Sequence, residues 1–149
     1  MIRRATPDDV LFIVGLGRQL HAESPHYRGR PFNVETVSVF VTWLLELHAG
    51  WLVTRDDVPI GYALAMASED WISGEMVGTE VSIYVTPSFR GGMAFRSLAL
   101  AMERWWISQG CVRWTVGAST GIEDARTVAL YERMGYAPAG QVMQKRSAP

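Results

Sequence analysis

Hydrophobic residues recur along the chain with two periods, one typical of helices and one typical of strands. A short strand is predicted over 2–6. A helix follows it, with Thr6 as the cap, Pro7 at the first helical position and Asp9 completing a capping box. One face of this helix is apolar at helical spacing: Val10, Ile13, Val14, Gly17 and Leu20. The next segment, 23–33, is dense in Pro, Gly and polar residues and predicts an irregular loop.

A second helix is predicted from its cap, Asn33, through about His48, with Gly50 ending it. Its apolar face consists of Val37, Val41, Leu44, Leu45 and His48. The remaining predicted elements, in chain order, are a hairpin (51–67), a connection (68–78), a strand (79–85), a helix (93–109), a strand (111–118), a helix (124–134) and an edge strand (136–146).

This order of elements predicts a mixed sheet with helices on both faces, in the α/β (α+β) class. The chain has 149 residues, of which 48% are hydrophobic, and this size and composition predict one domain over residues 1–149.

Charge and composition argue against several classes of protein. Fourteen basic and fifteen acidic residues give a net charge of -1, which does not favour a nucleic-acid partner. The single cysteine, Cys111, cannot form an intramolecular disulfide and fits a reducing compartment. No run reaches the ~18 apolar residues of a membrane span. We therefore expect a cytoplasmic protein without a membrane partner, and no residue pattern predicts a metal site.

The segment "YVTPSFRGGMAF" (84–95) carries the first chemical signal. Pro87 takes the chain out of a sheet, and Gly91 and Gly92 let the backbone approach a ligand closely. Arg90 adds a permanent charge, and the helix that follows points its amides at the same loop. Together these features predict a pyrophosphate site. A tight turn beside a solvated arginine is the alternative.

The pattern "V-x-P-x-x-R-G" between a strand and a helix resembles the acyl-CoA binding motif of the GNAT superfamily of N-acyltransferases. The segment "TVALYERMGY" (127–136) resembles a second signature of that family, and the first 45 residues loosely resemble phage-encoded members. The resemblance implies a mostly antiparallel sheet of six to seven strands, splayed between two central parallel strands. Here those strands would be 79–85 and 111–118, with acetyl-CoA held between them as co-substrate. The resemblance also implies an expectation of a homodimer.

By the family pattern, the pantetheine arm would meet backbone groups of Ile83 and Val85. The residues implied around the pyrophosphate are Arg90, Gly91, Gly92, Met93, Ala94 and Phe95. The chain departs from the pattern at Met93, where a glycine is expected, and at Phe95, where a small residue is expected. In the second signature, Asp124 replaces a common asparagine and Thr127 a common alanine.

Transfer of an acyl group from a thioester to an amine requires a neutral amine, a donor for the oxyanion and a proton for the leaving thiolate. The resemblance implies that Tyr131 is the general acid, with Tyr136 as the alternative. Glu80 is the candidate base, and strand alternation would place it on one face with Ser82 and Tyr84. A packed tyrosine, a solvated glutamate and water as the base remain alternatives.

Two aromatic residues are candidates for contact with the acceptor: Tyr27 in the loop 23–33, and Trp71 in the connection 68–78. Acidic residues in the middle of the chain would favour a cationic amine: Glu69, Asp70, Glu75 and Glu80.

The predicted function is therefore transfer of an acetyl group from acetyl-CoA to a primary amine of a small molecule or peptide, by direct attack in a ternary complex. Two alternatives stay open. One is a CoA-binding or catalytically weak module that serves a partner, which the substitution at Met93 would suit. The other is an acyltransferase that acts on nucleic-acid bases.

Overall fold

The chain forms a five-stranded sheet in the computed structural model, which describes residues 1–147. Neighbouring strands are antiparallel, except that the last two run parallel. In spatial order, which is also chain order, the strands are β1 (Ile2–Arg4), β2 (Gly50–Arg55), β3 (Val58–Glu69), β4 (Met76–Val85) and β5 (Arg113–Thr115). The helices are α1 (Val10–Glu23), α2 (Val34–Glu46), α3 (Ala94–Ser108) and α4 (Asp124–Arg133).

The predicted cap is present at Asn33, and the predicted capping box at Thr6 caps a short 3-10 turn, Pro7–Asp9, that leads into α1 at Val10. The backbone amide of Thr6 donates to the Asp9 carboxylate (2.9 Å) ahead of α1, and the amide of Thr36 donates to Asn33 Oδ1 (2.9 Å) at the start of α2. These side chains satisfy amides that have no partner inside the helix, which is why the two helices begin here.

The predicted end of the second helix is wrong. α2 ends at Glu46, and His48, not Gly50, takes the left-handed conformation (φ 58°) that turns the chain. Gly50 instead opens β2, where a Cβ would stand only 2.3 Å from Leu45 Cδ2. The glycine is thus required by the close packing of α2 on the sheet, and not by the turn.

The helices lie on both faces of the sheet, as predicted. On one face α1 passes so close to β3 that a Cβ on Gly17 would stand 3.7 Å from the Tyr62 hydroxyl. On the other face, Trp105 of α3 packs edge-on against Trp51 of β2, with 6.0 Å between ring centroids. Fully buried side chains fill both layers: Ile13, Leu44, Leu45, Leu52, Leu98, Met102 and Trp106. Within residues 1–147 no helix is both long enough and apolar enough to span a bilayer.

The strands differ in length from their predictions, and the differences are largest for β4 and β5. β4 begins at Met76, three residues before the predicted start, because the connection before it is a tight turn. In that turn Asp70 accepts the amides of Ile72 (3.0 Å) and Ser73 (2.9 Å). β5 is shorter than predicted and spans only Arg113–Thr115.

The predicted edge strand over 136–146 is not formed, so residues 1–147 contain five strands and not six or seven. Without that strand β5 is the edge of the sheet and not a central strand. The segment carries Pro138 and Gly140, and beyond Tyr136 its large apolar side chains stay in solvent, with Val142 95% and Met143 88% exposed. Pairing here would bury too little apolar surface to offset the ordering of the chain.

The central hairpin is confirmed, and its turn explains the "RDDVP" sequence. Asp56 and Asp57 both have positive φ (49° and 62°), the geometry of a two-residue turn whose twist matches that of the flanking strands. Aspartate tolerates this conformation better than most residues.

A β-bulge interrupts the pairing of β3 and β4. Leu64 lies opposite Ser82, whereas Ala65 lies opposite Glu80, so Val81 is an extra residue in β4. A bulge bends its strand and changes the direction of the neighbouring side chains. Its effect on Glu80 is described with the site.

The contact between β4 and α3 yields a prediction about Gly78. A Cβ at this position would stand 2.5–2.6 Å from three atoms of the Trp106 ring, which is fully buried. We expect Gly78→Ala to lower the free energy of unfolding by about 1–3 kcal/mol through overpacking.

Urea unfolding of matched alanine variants measures this effect. Gly15, on the exposed side of α1, has no atom within 4 Å of its Cβ position. Gly15→Ala should therefore raise the stability by roughly 0.5–1 kcal/mol. Equal effects of the two substitutions would contradict the proposed collision with Trp106.

Candidate active site

The candidate site lies where β4 and β5 separate. Their parallel pairing runs from Val77 opposite Arg113 to Thr79 opposite Thr115 and then stops, while β4 continues to Val85. A cavity of about 300 Å³ occupies the gap. It is lined by residues of β4, of the loop after it, of the segment 117–124 and of α4. The splay implied by the sequence resemblance is thus present, at the edge of the sheet.

Backbone groups of β4 face this gap. The amide of Thr86 donates to Ile60 of β3 (2.9 Å), so alternate residues Ile83 and Val85 direct their backbone groups to the opposite edge. Both residues line the cavity. The Val85 carbonyl accepts a hydrogen bond from Arg90 Nε (2.9 Å), which leaves the Val85 amide and the Ile83 groups facing the cavity.

The glycine loop forms one end of the cavity. Gly91 has a φ of 91°, which a residue with a side chain rarely adopts, and Gly91, Gly92 and Phe95 all line the gap. Met93 and Ala94 do not; they border a separate depression near Met1 and Ile2. Met93 is 62% exposed, so the methionine that replaces the expected glycine does not narrow the cavity.

Arg90 lines the cavity, but its guanidinium is bound to other protein groups. It makes a bidentate ion pair with Glu23 at the end of α1, with 2.7 Å between Nη2 and Oε2. It also lies over the Tyr84 ring, 5.4 Å from the centroid. The Tyr84 hydroxyl also donates to Glu23 (3.0 Å). The Arg90 guanidinium, with help from Tyr84, lowers the pKa of Glu23 below its ordinary value. This arginine therefore ties α1 to the glycine loop.

Glu80 and Tyr131, both proposed from the sequence, are in direct contact. The Tyr131 hydroxyl donates to Glu80 Oε2 (2.6 Å), and the amide of Gly117 lies 3.3 Å from the same oxygen. Glu80 lines the cavity, and Tyr131 is buried directly behind it. Desolvation raises the pKa of Glu80 to about 6, although both hydrogen bonds oppose the shift. Burial, with the adjacent Glu80, raises the pKa of Tyr131 far above its ordinary value.

The expected alternation along β4 is interrupted by the bulge at Val81. Ser82 bonds the Tyr62 hydroxyl (2.8 Å) and Tyr84 bonds Glu23, both on the face that α1 covers. Glu80 instead reaches Tyr131 of α4. The extra residue in β4 thus separates Glu80 from Ser82 and Tyr84, and the prediction that all three share a face is wrong.

Tyr136, the alternative acid, belongs to a different network. Its hydroxyl donates to Glu103 of α3 (2.7 Å) and accepts the indole N–H of Trp114 (2.9 Å). It does not line the cavity, and these bonds fix α4 and β5 against α3.

The two residues suggested for acceptor contact are placed differently. Tyr27 lines the cavity, whereas Trp71 is 91% exposed in the turn between β3 and β4 and lies outside it. The acidic character of that turn is reduced, because Arg113 pairs with Asp70 (2.7 Å) and Glu75 (3.3 Å). Of the predicted acidic group, Glu80 is the member that reaches the cavity.

Several residues of the site were missed by the sequence analysis. Asp124, noted only as a departure from the signature, accepts the amide of Gly121 (3.0 Å) and orders the loop before α4. The loop 24–33 is fastened to the same segment, because Ser24 donates to the Thr120 carbonyl and His26 Nδ1 lies 2.8 Å from the Ser119 carbonyl. The first of these has a sequence signal, an acidic residue at the start of a helix. The others depend on contacts almost 100 residues apart.

The arrangement fits an extended ligand that carries phosphates. The unpaired backbone of β4 can bond an amide-containing chain, and the glycine loop admits a close approach at one end. In the part of the chain that the structure describes, no three His, Cys, Asp or Glu side chains are grouped so that they could hold a metal ion.

Comparison with known proteins agrees with this geometry. The model of the acetyltransferase (GNAT) family matches residues 17–136. The chain belongs to the GNAT family. This confirms the resemblance inferred from "V-x-P-x-x-R-G" and "TVALYERMGY", and with it the prediction that the protein is of the acyltransferase class.

Among curated relatives, the GNAT chain is 27% identical over 99 residues to the aminoglycoside N(6')-acetyltransferase type 1 of Salmonella typhimurium. The match covers 64% of this chain and 66% of that relative, so just under two thirds of the relative's length is matched.

Solved structures share the GNAT fold over the whole chain. AAC(6')-Iy in complex with a bisubstrate analogue, CoA-S-monomethyl-acetylneamine, is 23% identical with a TM-score of 0.78, over 100% of this chain and 98% of the other. A ribosomal-protein-alanine N-acetyltransferase from Brucella melitensis biovar Abortus 2308 is 19% identical with a TM-score of 0.72, over 99% of each chain. At these identities the likeness concerns the fold, and it spans proteins named for different acceptors.

The Glu23–Arg90 contact of this GNAT protein yields a prediction about stability. Both side chains are mostly buried, with 28% and 19% exposed. In a double-mutant cycle of Glu23→Ala and Arg90→Ala, we expect a coupling of about 1–2 kcal/mol in the free energy of unfolding. Because Arg90 lowers the pKa of Glu23, this coupling is present at neutral pH and is lost as acid protonates Glu23.

The more exposed Arg113–Asp70 pair is the matched control, and its coupling should be much smaller. A cycle in which the Glu23–Arg90 coupling is no larger than the control would show that the pair does not hold α1 to the glycine loop.

Proposed function

We propose that this protein is an acetyl-CoA-dependent N-acetyltransferase that acts on a primary amine by direct attack in a ternary complex. The observation that carries the proposal is the Glu80–Tyr131 contact (2.6 Å) at the wall of the cavity between β4 and β5. Membership of the GNAT family supports it. The alternative of a non-catalytic binding module was based on the substitution at Met93. Because the Met93 side chain is exposed and lies outside the cavity, it gives no reason to favour that alternative.

The donor site of the proposal follows the gap between the strands. Acetyl-CoA, when bound, supplies an activated acetyl thioester. Ile83 and Val85 would hold its pantetheine arm through their free backbone groups, and the Val85 amide would donate to the oxyanion. Gly91, Gly92 and Phe95 would line its phosphate end, with Arg90 holding their loop in shape.

The proton path of the proposal uses the carboxylate and the phenol together. Glu80 accepts a proton from the attacking amine, and Tyr131, whose hydroxyl in the structure is directed at Glu80 behind the cavity wall, would turn towards the leaving sulfur to donate its own proton. Glu80 then returns a proton to Tyr131 along their hydrogen bond. The neutral form of the amine loses one proton and the sulfur gains one, so the path balances; an acceptor that is cationic in water first releases one proton to the solvent. The raised pKa of Tyr131 makes a lasting phenolate unfavourable, which is why an adjacent proton source matters.

For the acceptor we propose a small amine that is cationic in water, with amino sugars of the aminoglycoside class as the first candidates. The curated relative named for that activity supports this choice, as does the carboxylate of Glu80 at the cavity wall. Tyr27 and the fastened loop 24–33 would contact the acceptor.

The proposal predicts a specific loss of activity in Tyr131→Phe. Release of free CoA thiol, measured across a panel of aminoglycosides and of peptides that begin with alanine, should show acetyl transfer by the wild type. In Tyr131→Phe, kcat should fall by at least about tenfold with the affinity for acetyl-CoA nearly unchanged, because only the proton donor is removed.

Tyr136→Phe is the matched control, because it loses a hydroxyl from the neighbouring tyrosine without changing the cavity. Its kcat should stay within a few-fold of the wild type. Full activity of Tyr131→Phe would remove this residue from the mechanism. No transfer by the wild type to any amine in the panel would contradict the proposed function.

The pKa of Glu80 predicts the pH dependence of the reaction. Glu80 must be ionised to accept a proton, and its pKa is raised to about 6. We expect kcat/KM of the wild type to fall as the pH drops through about 6. In Glu80→Gln the rate should be lower, and the limb near pH 6 should disappear, leaving only the fall that comes from protonation of the acceptor amine at higher pH. Glu75→Gln, an exposed carboxylate outside the cavity, should keep the wild-type profile. The same limb in Glu80→Gln would assign it to another group.

A further inference from the structure

Two arginines lie at the glycine end of the cavity, and they differ in what they bind. The Arg90 guanidinium is held by Glu23 on both of its terminal nitrogens, and its Nε bonds the Val85 carbonyl. Its charge is neutralised and its donors are largely used. Arg126 lines the same cavity from the first turn of α4, and its side chain is 48% exposed.

Arg126 faces the glycine loop directly. Its Nη2 stands 2.9 Å from the point that a Cβ on Gly91 would occupy. The arginine can lie there only because Gly91 has no side chain. The guanidinium of Arg126, a planar group with several N–H donors, thus lies beside the glycine loop, where the sequence motif predicts a phosphate site.

The present partner of Arg126 is an anion on the same cavity wall. Its Nη1 bonds Glu123 Oε1 (3.1 Å), and the other carboxylate oxygen of Glu123 lies 4.0 Å from Arg90 Nη1. Glu123 is 48% exposed and holds a left-handed backbone conformation (φ 48°), which is unusual for a residue with a side chain. A carboxylate therefore stands between the two arginines, beside the glycine loop.

We propose that Arg126 binds a phosphate group of the acyl donor, and that Glu123 occupies the place of this phosphate until the donor displaces it. In the structure, the charges of Arg90 and Arg126 are balanced by those of Glu23 and Glu123. Movement of Glu123 into water leaves a net positive charge opposite the phosphate. The Arg126–Glu123 pair is exposed, so breaking it costs little, and a guanidinium bonds a phosphate in two-pronged geometry. This inference rests on the proposed function, because it requires a donor that carries phosphates.

Calorimetric titration of the full chain with CoA tests the proposal without any acceptor. In Arg126→Ala the Kd should rise by about tenfold or more, the effect of losing a charge-assisted hydrogen bond. In Glu123→Gln the Kd should fall several-fold, because the competing charge is removed and the backbone is unchanged. Arg96→Ala, an exposed arginine on the first turn of α3 outside the cavity, should change the Kd by less than about twofold.

Two further ligands identify the phosphate involved. If Arg126 binds the 3′-phosphate, the Arg126→Ala effect should vanish with dephospho-CoA; if it binds the pyrophosphate, the effect should persist. With S-acetylpantetheine, which has no such phosphates, wild type and Arg126→Ala should bind equally. An undiminished effect with that ligand would overturn the proposal, as would an unchanged Kd for CoA in Arg126→Ala. A wild type that does not bind CoA at all would instead overturn the proposed function.

Discussion

β4 and β5 stay paired over only three residues, and every part of the candidate site depends on their separation after Thr79 and Thr115. A strand that loses its neighbour exposes backbone donors and acceptors, which must be satisfied by water or by another molecule. Here the strand that continues, β4, carries Glu80 next to a bulge and ends in the glycine loop. One break in a sheet therefore creates the cavity, its hydrogen-bonding wall and the position of the carboxylate.

The charged side chains around this break form two ion pairs, which differ in burial and in role. Glu23 and Arg90 are mostly buried and join the end of α1 to the loop after β4. Glu123 and Arg126 are half-exposed and lie at the cavity mouth. The same two residue types thus provide a structural link in one place and an exchangeable contact in the other, and the degree of burial distinguishes them.

The separation of Glu80 from other charges has a chemical effect. One of its carboxylate oxygens accepts hydrogen bonds from the Tyr131 hydroxyl and the Gly117 amide. Its pKa is raised by desolvation, and no cationic side chain lowers it. A salt bridge would hold the carboxylate ionised and weakly basic. A desolvated carboxylate with a pKa of about 6 can instead accept and return a proton near neutral pH.

Much of the fold could be predicted from the sequence, because helix caps and the spacing of apolar residues are local patterns. Caps at Thr6 and Asn33 and the helical spacing of apolar residues located the first two helices, and the predicted hairpin is also present. The family resemblance also named Tyr131, and Glu80 was the nearest carboxylate on the predicted strand; the structure shows the two in contact. Family patterns carry such positions, even when the physical reason for them is not visible in the sequence.

The features that were missed or wrong depend on contacts distant in the chain. No local pattern shows that Glu23 meets Arg90, since 67 residues separate them. The bulge at Val81 follows from the pairing of β3 with β4, and strand alternation alone cannot detect it. The segment 136–146 lies where a final edge strand is predicted, yet a strand forms only where a partner edge and a buried face exist.

The two edges of the sheet have a consequence for the behaviour of the protein in concentrated solution. β1 and β5 are each three residues long, with arginines at Arg3, Arg4 and Arg113. Long, flat, uncharged edges recruit strands from other molecules and lead to aggregation. Short edges with charged side chains give a second chain few free backbone groups to pair with. These two edges therefore disfavour pairing with a second chain, and the longer unpaired stretch of β4 beyond Thr79 is turned towards the cavity.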